Sequence, residues 1–285
     1  MKLLRESTTF DTIDPAKIIN HWNPVDISPN ALDPWDLVGT DYTRFALVIG
    51  ITEYSTAHDL YYTDDDADDW AKLLEKHGYC VIKLTGYVTK SDIDEAFSIL
   101  LGREDEGNYV AIIYSGHGIY LSQESTSAIL TSDGYYLTES YFEEINEQLD
   151  SNHVFWFFDA CEIGGMATLG IPGRYVAMAS DKEHYSYEDP FLGNGVFTYY
   201  FLQAIEEGYY YMEQAFDHAY YKCKCDPKWG TKMFPIEADG DPSEYFALWP
   251  ISSSNSGNEN NENSSGGNSS GGGLGGGERI LYEIY

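Results

Sequence analysis

The chain has 285 residues, 43% of them hydrophobic, enough to bury one large core. Its 47 acidic residues against 16 Lys and Arg give a formal net charge of −31, which repels nucleic acid and anionic membrane and favours basic partners or divalent cations. No stretch reaches the roughly 18 to 20 apolar residues that span a bilayer, and Met1 to Ser7 lacks the apolar run of a signal peptide.

Four cysteines, Cys80, Cys161, Cys223 and Cys225, are too few for a disulfide framework in a chain this long, so a reducing, cytoplasmic setting is expected. Residues 1–43 carry Pro15, Pro24, Pro29 and Pro34 with little apolar period, and read as an extended arm of the kind that can serve as a propeptide. From Arg44 the pattern changes. Phe45 to Ile51 is a continuous apolar run bounded by Gly50, as in a strand buried on both faces. Ala67, Trp70, Ala71 and Leu74 then follow helical spacing behind an acidic first turn, and Gly78 ends that helix.

A second strand (79–84) and a helix with Ile93, Ala96, Phe97 and Leu100 on one face lead to a third strand, 109–114. After a hairpin-like stretch at Asp133-Gly134 come a helix over about 139–149, a strand over 154–158 and another over 175–179. Two helices are expected within 195–222, and an edge strand at Met233-Phe234-Pro235. This alternation gives an α/β fold with a mostly parallel sheet covered by helices on both faces. The folded domain spans 44–250. Residues 251–277 are built almost wholly of Ser, Asn, Gly and Glu and read as a flexible linker, and 278–285 is a short tail able to add a strand to a sheet edge.

Two strands run straight into short polar loops: Ser115-Gly116-His117-Gly118 after the third, and Asp159-Ala160-Cys161-Glu162 after the fourth. Sites in such sheets sit at the carboxyl ends of strands, so adjacent strands would bring His117 and Cys161 together. A thiolate is a peptide-cleaving nucleophile and a nearby imidazole activates it and carries the proton to the leaving amine. Gly118 N–H and Cys161 N–H are the candidate donors to the oxyanion. A small buried cysteine beside an unrelated histidine is the plain alternative.

Tyr114-Ser115-Gly116-His117-Gly118 and Asp159-Ala160-Cys161 resemble the His and Cys boxes of caspase-like cysteine peptidases, above all metacaspases and their prokaryotic relatives. Leu60 to Leu74, Ala179-Ser180 and Asn194 to Tyr200 are similar to three further segments of that family, in its order. The resemblance implies the three-layer α/β/α fold of caspases and their haemoglobinase-like relatives, and a cysteine endopeptidase with a Cys161–His117 dyad. It further implies a primary pocket lined by Asp66 and Asp159, with Ser180 and Glu188 as further wall residues. Two carboxylates at one slot favour Arg or Lys over Asp as the residue before the cut. Protein or peptide substrates with basic residues are the expected partners; a catalytically silent scaffold binding basic peptides is the alternative. No cofactor is required by the sequence. Calcium is possible, but the acids at 64–69 lack the spacing of an EF-hand loop, and no metal ligand is assigned. The family's Cys box usually continues with a polar pair and Gly, where this chain has Glu162-Ile163.

Overall fold

The strands form where the apolar runs lie. The computed structural model of the protein describes residues 18–19 and 43–251. The expected linker from residue 252, the tail, and all but three residues of the arm lie outside the described residues. In chain order the main elements are β1 (Ile18–Ile19), β2 (Arg44–Ile51), α1 (Thr63–Lys76), β3 (Cys80–Gly86), α2 (Lys90–Leu101), β4 (Tyr109–Ser115), β5 (Gly118–Leu121), β6 (Thr126–Leu130) and β7 (Tyr136–Thr138). There follow α3 (Glu139–Gln148), β8 (Val154–Asp159), a 3-10 helix (Gly164–Leu169), β9 (Arg174–Met178), β10 (Glu188–Asp189), β11 (Asn194–Gly195), α4 (Val196–Glu206), α5 (Met212–Cys225) and β12 (Ile236–Asp239).

The main sheet has the order β12-β9-β8-β4-β2-β3, parallel throughout except for β12, which pairs antiparallel with β9. Side chains alternate across it. On one face, Leu47, Ile49, Ile112, Trp156 and Phe158 pack with Phe97 of α2 and Phe142 and Ile145 of α3. On the other, Ala46, Val48, Ile113, Phe155 and Phe157 pack with Trp70 of α1, Phe201 of α4 and Phe216 of α5. Those are the two helical layers. Val154 to Phe158 are all at most 1% exposed, and each large side chain buried this way contributes about 1.5–3 kcal/mol.

Local signals set the ends of helices. Gly78 takes φ +80, with Gly78 N–H bonded to Glu75 O and Tyr79 N–H to Leu74 O, which stops α1 where the glycine is expected to. Thr89 and Asp92 cap α2 reciprocally. One expectation shifts. Met233-Phe234-Pro235 is not a strand: Lys232 and Met233 N–H groups turn back onto Trp229 O, Pro235 has no N–H to give, and the antiparallel edge strand begins at Ile236. A second sheet, β1-β7-β6-β5, grows from the segment after His117, and β1 joins it parallel to β7.

Candidate active site

Strand register builds the centre of the site. β4 and β8 pair so that Ser115 stands opposite Asp159, which makes His117 and Cys161 the second residue past each paired end. Gly116 N–H bonds back to Asp159 O at 3.2 Å, tying the two exits together. The loops touch beyond that point: a Cβ on Gly118 would lie 2.2 Å from Cys161 O and 3.2 Å from Cys161 N, so only glycine lets the histidine loop come so close. Leu130 N–H bonds to His117 O, which makes Gly118 and Ile129 a non-hydrogen-bonded pair and leaves the Gly118 N–H unspent on β6. The two candidate oxyanion donors are thus neighbours.

His117 is held on three sides. Its N–H donates to the Tyr54 hydroxyl at 3.0 Å, and its carbonyl accepts from the Tyr114 hydroxyl at 2.9 Å. The Tyr54 ring lies 4.5 Å from the imidazole, centre to centre. Burial pushes both phenols far above their ordinary range, so they stay protonated and serve as hydrogen-bonding braces. Nε2 sits 2.7 Å from His58 O. A carbonyl only accepts, so Nε2 carries the proton and Nδ1 is the acceptor of the neutral ring. Cys161 is 1% exposed, with its Sγ 3.6 Å from Ser186 O.

The acidic expectation converges on one place. Gly50 has no side chain, and a Cβ there would meet Thr63 O at 2.1 Å, so the first turn of α1 rests directly on β2. Thr63 Oγ1 fixes it by donating to Ile51 O at 2.7 Å. That seat brings Asp66 beside the end of β4, where its Oδ2 accepts from Ser115 Oγ at 2.6 Å and its Oδ1 from Gly195 N–H at 2.9 Å. Asp159 accepts from the Ser186 hydroxyl on Oδ1, and from Thr198 N–H at 3.0 Å and Thr198 Oγ1 at 2.8 Å on Oδ2. A Cβ on Gly195 would lie 2.4 Å from Asp159 Oδ2 and 2.8 Å from Asp66 Oδ2, so those oxygens are within about 5 Å of each other. Burial holds Asp66 well above the usual carboxylate range, and the Asp159 charge adds to the shift. Burial raises Asp159 too, against the lowering effect of Ser186 and Thr198. Two interior carboxyls this close retain a proton between them to higher pH than either would alone.

The two further wall residues expected, Ser180 and Glu188, each bond to the backbone. Ser180 Oγ donates to Ala160 O at 2.8 Å and accepts from Ile163 N–H at 3.3 Å, so it braces the turn that carries Cys161. Glu188 Oε1 accepts from Tyr61 and Tyr62 N–H at 2.8 and 2.7 Å, closing the approach to α1. Ser115, Ser186, Thr198, Tyr54 and the His58 carbonyl belong to the site and are not among the expected residues. Ser115 had a signal as a polar residue ending an apolar strand two before the histidine, and Thr198 lies inside the family-like segment Asn194 to Tyr200. Among the described residues no group of three or more His, Cys, Asp or Glu converges on a metal position, and no helix is long and apolar enough to cross a membrane.

A mostly parallel sheet between two helical layers, with a cysteine loop and a histidine loop leaving adjacent strands at its carboxyl end, is the build of a caspase-like peptidase domain. The chain belongs to the caspase-domain family: the family's sequence profile, Caspase domain, matches residues 43–232, about two thirds of the chain. A crystal structure of a protein from Geobacter sulfurreducens is similar in fold, at 15% identity and a TM-score of 0.56, covering 69% of this chain and 94% of that one. No curated protein matches the sequence.

Proposed function

We propose that the protein is a cysteine endopeptidase that cuts peptide bonds after Arg or Lys, with Cys161 as nucleophile and His117 as acid–base partner. The pairing of Ser115 with Asp159 carries this reading, because it delivers the thiol and the imidazole at the same level above the sheet. Nδ1 of His117 takes the thiol proton and the sulfur attacks the scissile carbonyl carbon. The resulting oxyanion lies toward the Gly118 and Cys161 N–H groups. Imidazolium then protonates the leaving amine, and water, deprotonated by the same ring, releases the acid from the thioester.

For specificity, Asp66 and Asp159 form the acceptor of a guanidinium or ammonium group, with Ser115, Ser186 and Thr198 orienting their oxygens. Ser180 and Glu188 shape that pocket at one remove. The near-complete burial of Cys161 and His117 supports a latent, zymogen-like form whose 181–195 segment shifts before a peptide enters. The half of that segment from Glu188 is pinned through β10 and β11, while Lys182 is exposed and 3.9 Å from Glu139, so a self-cleavage event belongs near Lys182.

Reporter peptides ending in Arg, Lys or Asp before the leaving group, with and without calcium, test the reading. Turnover of the Arg and Lys reporters, lost in Cys161→Ala and in His117→Ala, is expected. Turnover retained in Cys161→Ala, or confined to the Asp reporter, overturns it.

A further inference from the structure

Glu162, immediately after Cys161, has an unusual backbone. Among the described residues only Ser125 and Glu162 combine a side chain with positive φ, and Ser125 belongs to the exposed turn between β5 and β6. Glu162 has φ +52, a conformation in which a Cβ crowds the following carbonyl. Such a conformation persists only where the surroundings impose it, and here they do. The Glu162 N–H donates to His184 O at 2.9 Å, its carbonyl accepts from Ser127 Oγ at 2.7 Å, and its side-chain Oε2 accepts from Tyr120 N–H at 3.3 Å. Ser127 is itself fixed, its N–H donating to Glu139 Oε1 at 2.6 Å and its Oγ accepting from Gly165 N–H at 3.1 Å.

We propose that Glu162 is a positioning residue that holds the Cys161 turn in its strained form, so that the thiol and the Cys161 N–H keep their places relative to His117 and Gly118. The proposal rests on the peptidase reading of Cys161. The bond to Tyr120 is the informative one. Tyr120 lies on β5, three residues past His117, so the Glu162 carboxylate ties the nucleophile's turn to the strand that continues the histidine loop. Strained strand-to-helix turns present the nucleophile in other hydrolases for the same mechanical reason: a sharp turn exposes one side chain and aligns its N–H.

The test compares Glu162→Gln, Glu162→Ala and Glu162→Gly in the full chain. Three quantities are followed: kcat and KM on an Arg reporter, the rate at which iodoacetamide alkylates Cys161 (read by peptide mass mapping), and the thermal midpoint. Glutamine keeps an acceptor oxygen for Tyr120 and is expected to stay within about threefold of wild type in kcat. Alanine and glycine lose it, and kcat is expected to fall about 10- to 100-fold with KM little changed and with slower alkylation at neutral pH. Glycine relieves the φ strain, so its thermal midpoint is expected at or above wild type while its kcat falls. A purely structural residue would not separate those two readouts. Wild-type kcat and alkylation rate in both the alanine and glycine variants overturn the proposal. Should no reporter be cleaved by the wild type, the peptidase reading fails, and the alkylation rates alone decide the role of Glu162.

Discussion

Ser115 faces Asp159 across the ends of β4 and β8, and from that position its hydroxyl turns to Asp66 Oδ2 at 2.6 Å. One side chain therefore joins the strand that leads to His117 to the helix that carries Asp66. Ser115→Ala removes a donor from a buried carboxylate, which costs about 1–3 kcal/mol of stability, and is expected to lower kcat/KM on an Arg reporter. The loss is expected mainly in KM, because Ser115 bonds to Asp66, the proposed acceptor of the basic side chain. Steady-state kinetics on matched Arg reporters measures the split.

The Asp66–Asp159 pair gives the pH dependence a sign. Both groups sit above the ordinary aspartate value of 3.8 in the folded chain, so the folded state binds more protons than the unfolded one above that value. Their contribution to stability is complete below the unfolded pKa and is lost as pH rises from there through the raised folded pKa. Asp66→Asn removes the like charge, and its denaturation midpoint is expected to fall less with rising pH than that of the wild type. Arg binding works against the retained proton. Binding of an Arg peptide to Cys161→Ala protein is expected to release a proton at the lower end of that window and to tighten as pH rises. Calorimetry in buffers of different ionisation enthalpy detects the release.

Tyr54→Phe keeps the ring against the imidazole and deletes the hydroxyl that accepts the His117 N–H at 3.0 Å. The buried N–H left behind costs about 1–3 kcal/mol of stability. Loosening of the histidine loop is expected to lower kcat about tenfold or more with KM nearly unchanged. Chemical denaturation and reporter kinetics on the same preparation check both.

Gly195 has an ordinary negative φ of −58, so alanine is conformationally acceptable there. The obstacle is space, since the added carbon would lie 2.4 Å from Asp159 Oδ2 and 2.8 Å from Asp66 Oδ2. Gly195→Ala is expected to destabilise the fold by about 1–3 kcal/mol through overpacking and to raise KM for Arg and Lys reporters alike. Thermal unfolding and the two KM values test it.

The alternation of the main strands and helices, the two buried faces of β2 and the stop at Gly78 were legible in the sequence. They rest on periodicity and on residues whose effect is local. So was the placing of His117 and Cys161, because each follows an apolar strand within a few residues. What only the tertiary structure decided is which strands are neighbours, and hence that Ser115 meets Asp159. It also supplied the hydrogen bonds by which Gly195, Ser186 and Thr198, up to 129 positions away, hold Asp66 and Asp159, a pair that the family resemblance already implied. The His58 carbonyl that sets the imidazole's proton and the strained φ of Glu162 are backbone properties with no residue-type signal. The places of His117 and Cys161 at the two strand ends were thus written in short stretches of sequence, whereas the hydrogen bonds that brace them and that hold Asp66 and Asp159 run between distant segments, which no local pattern encodes.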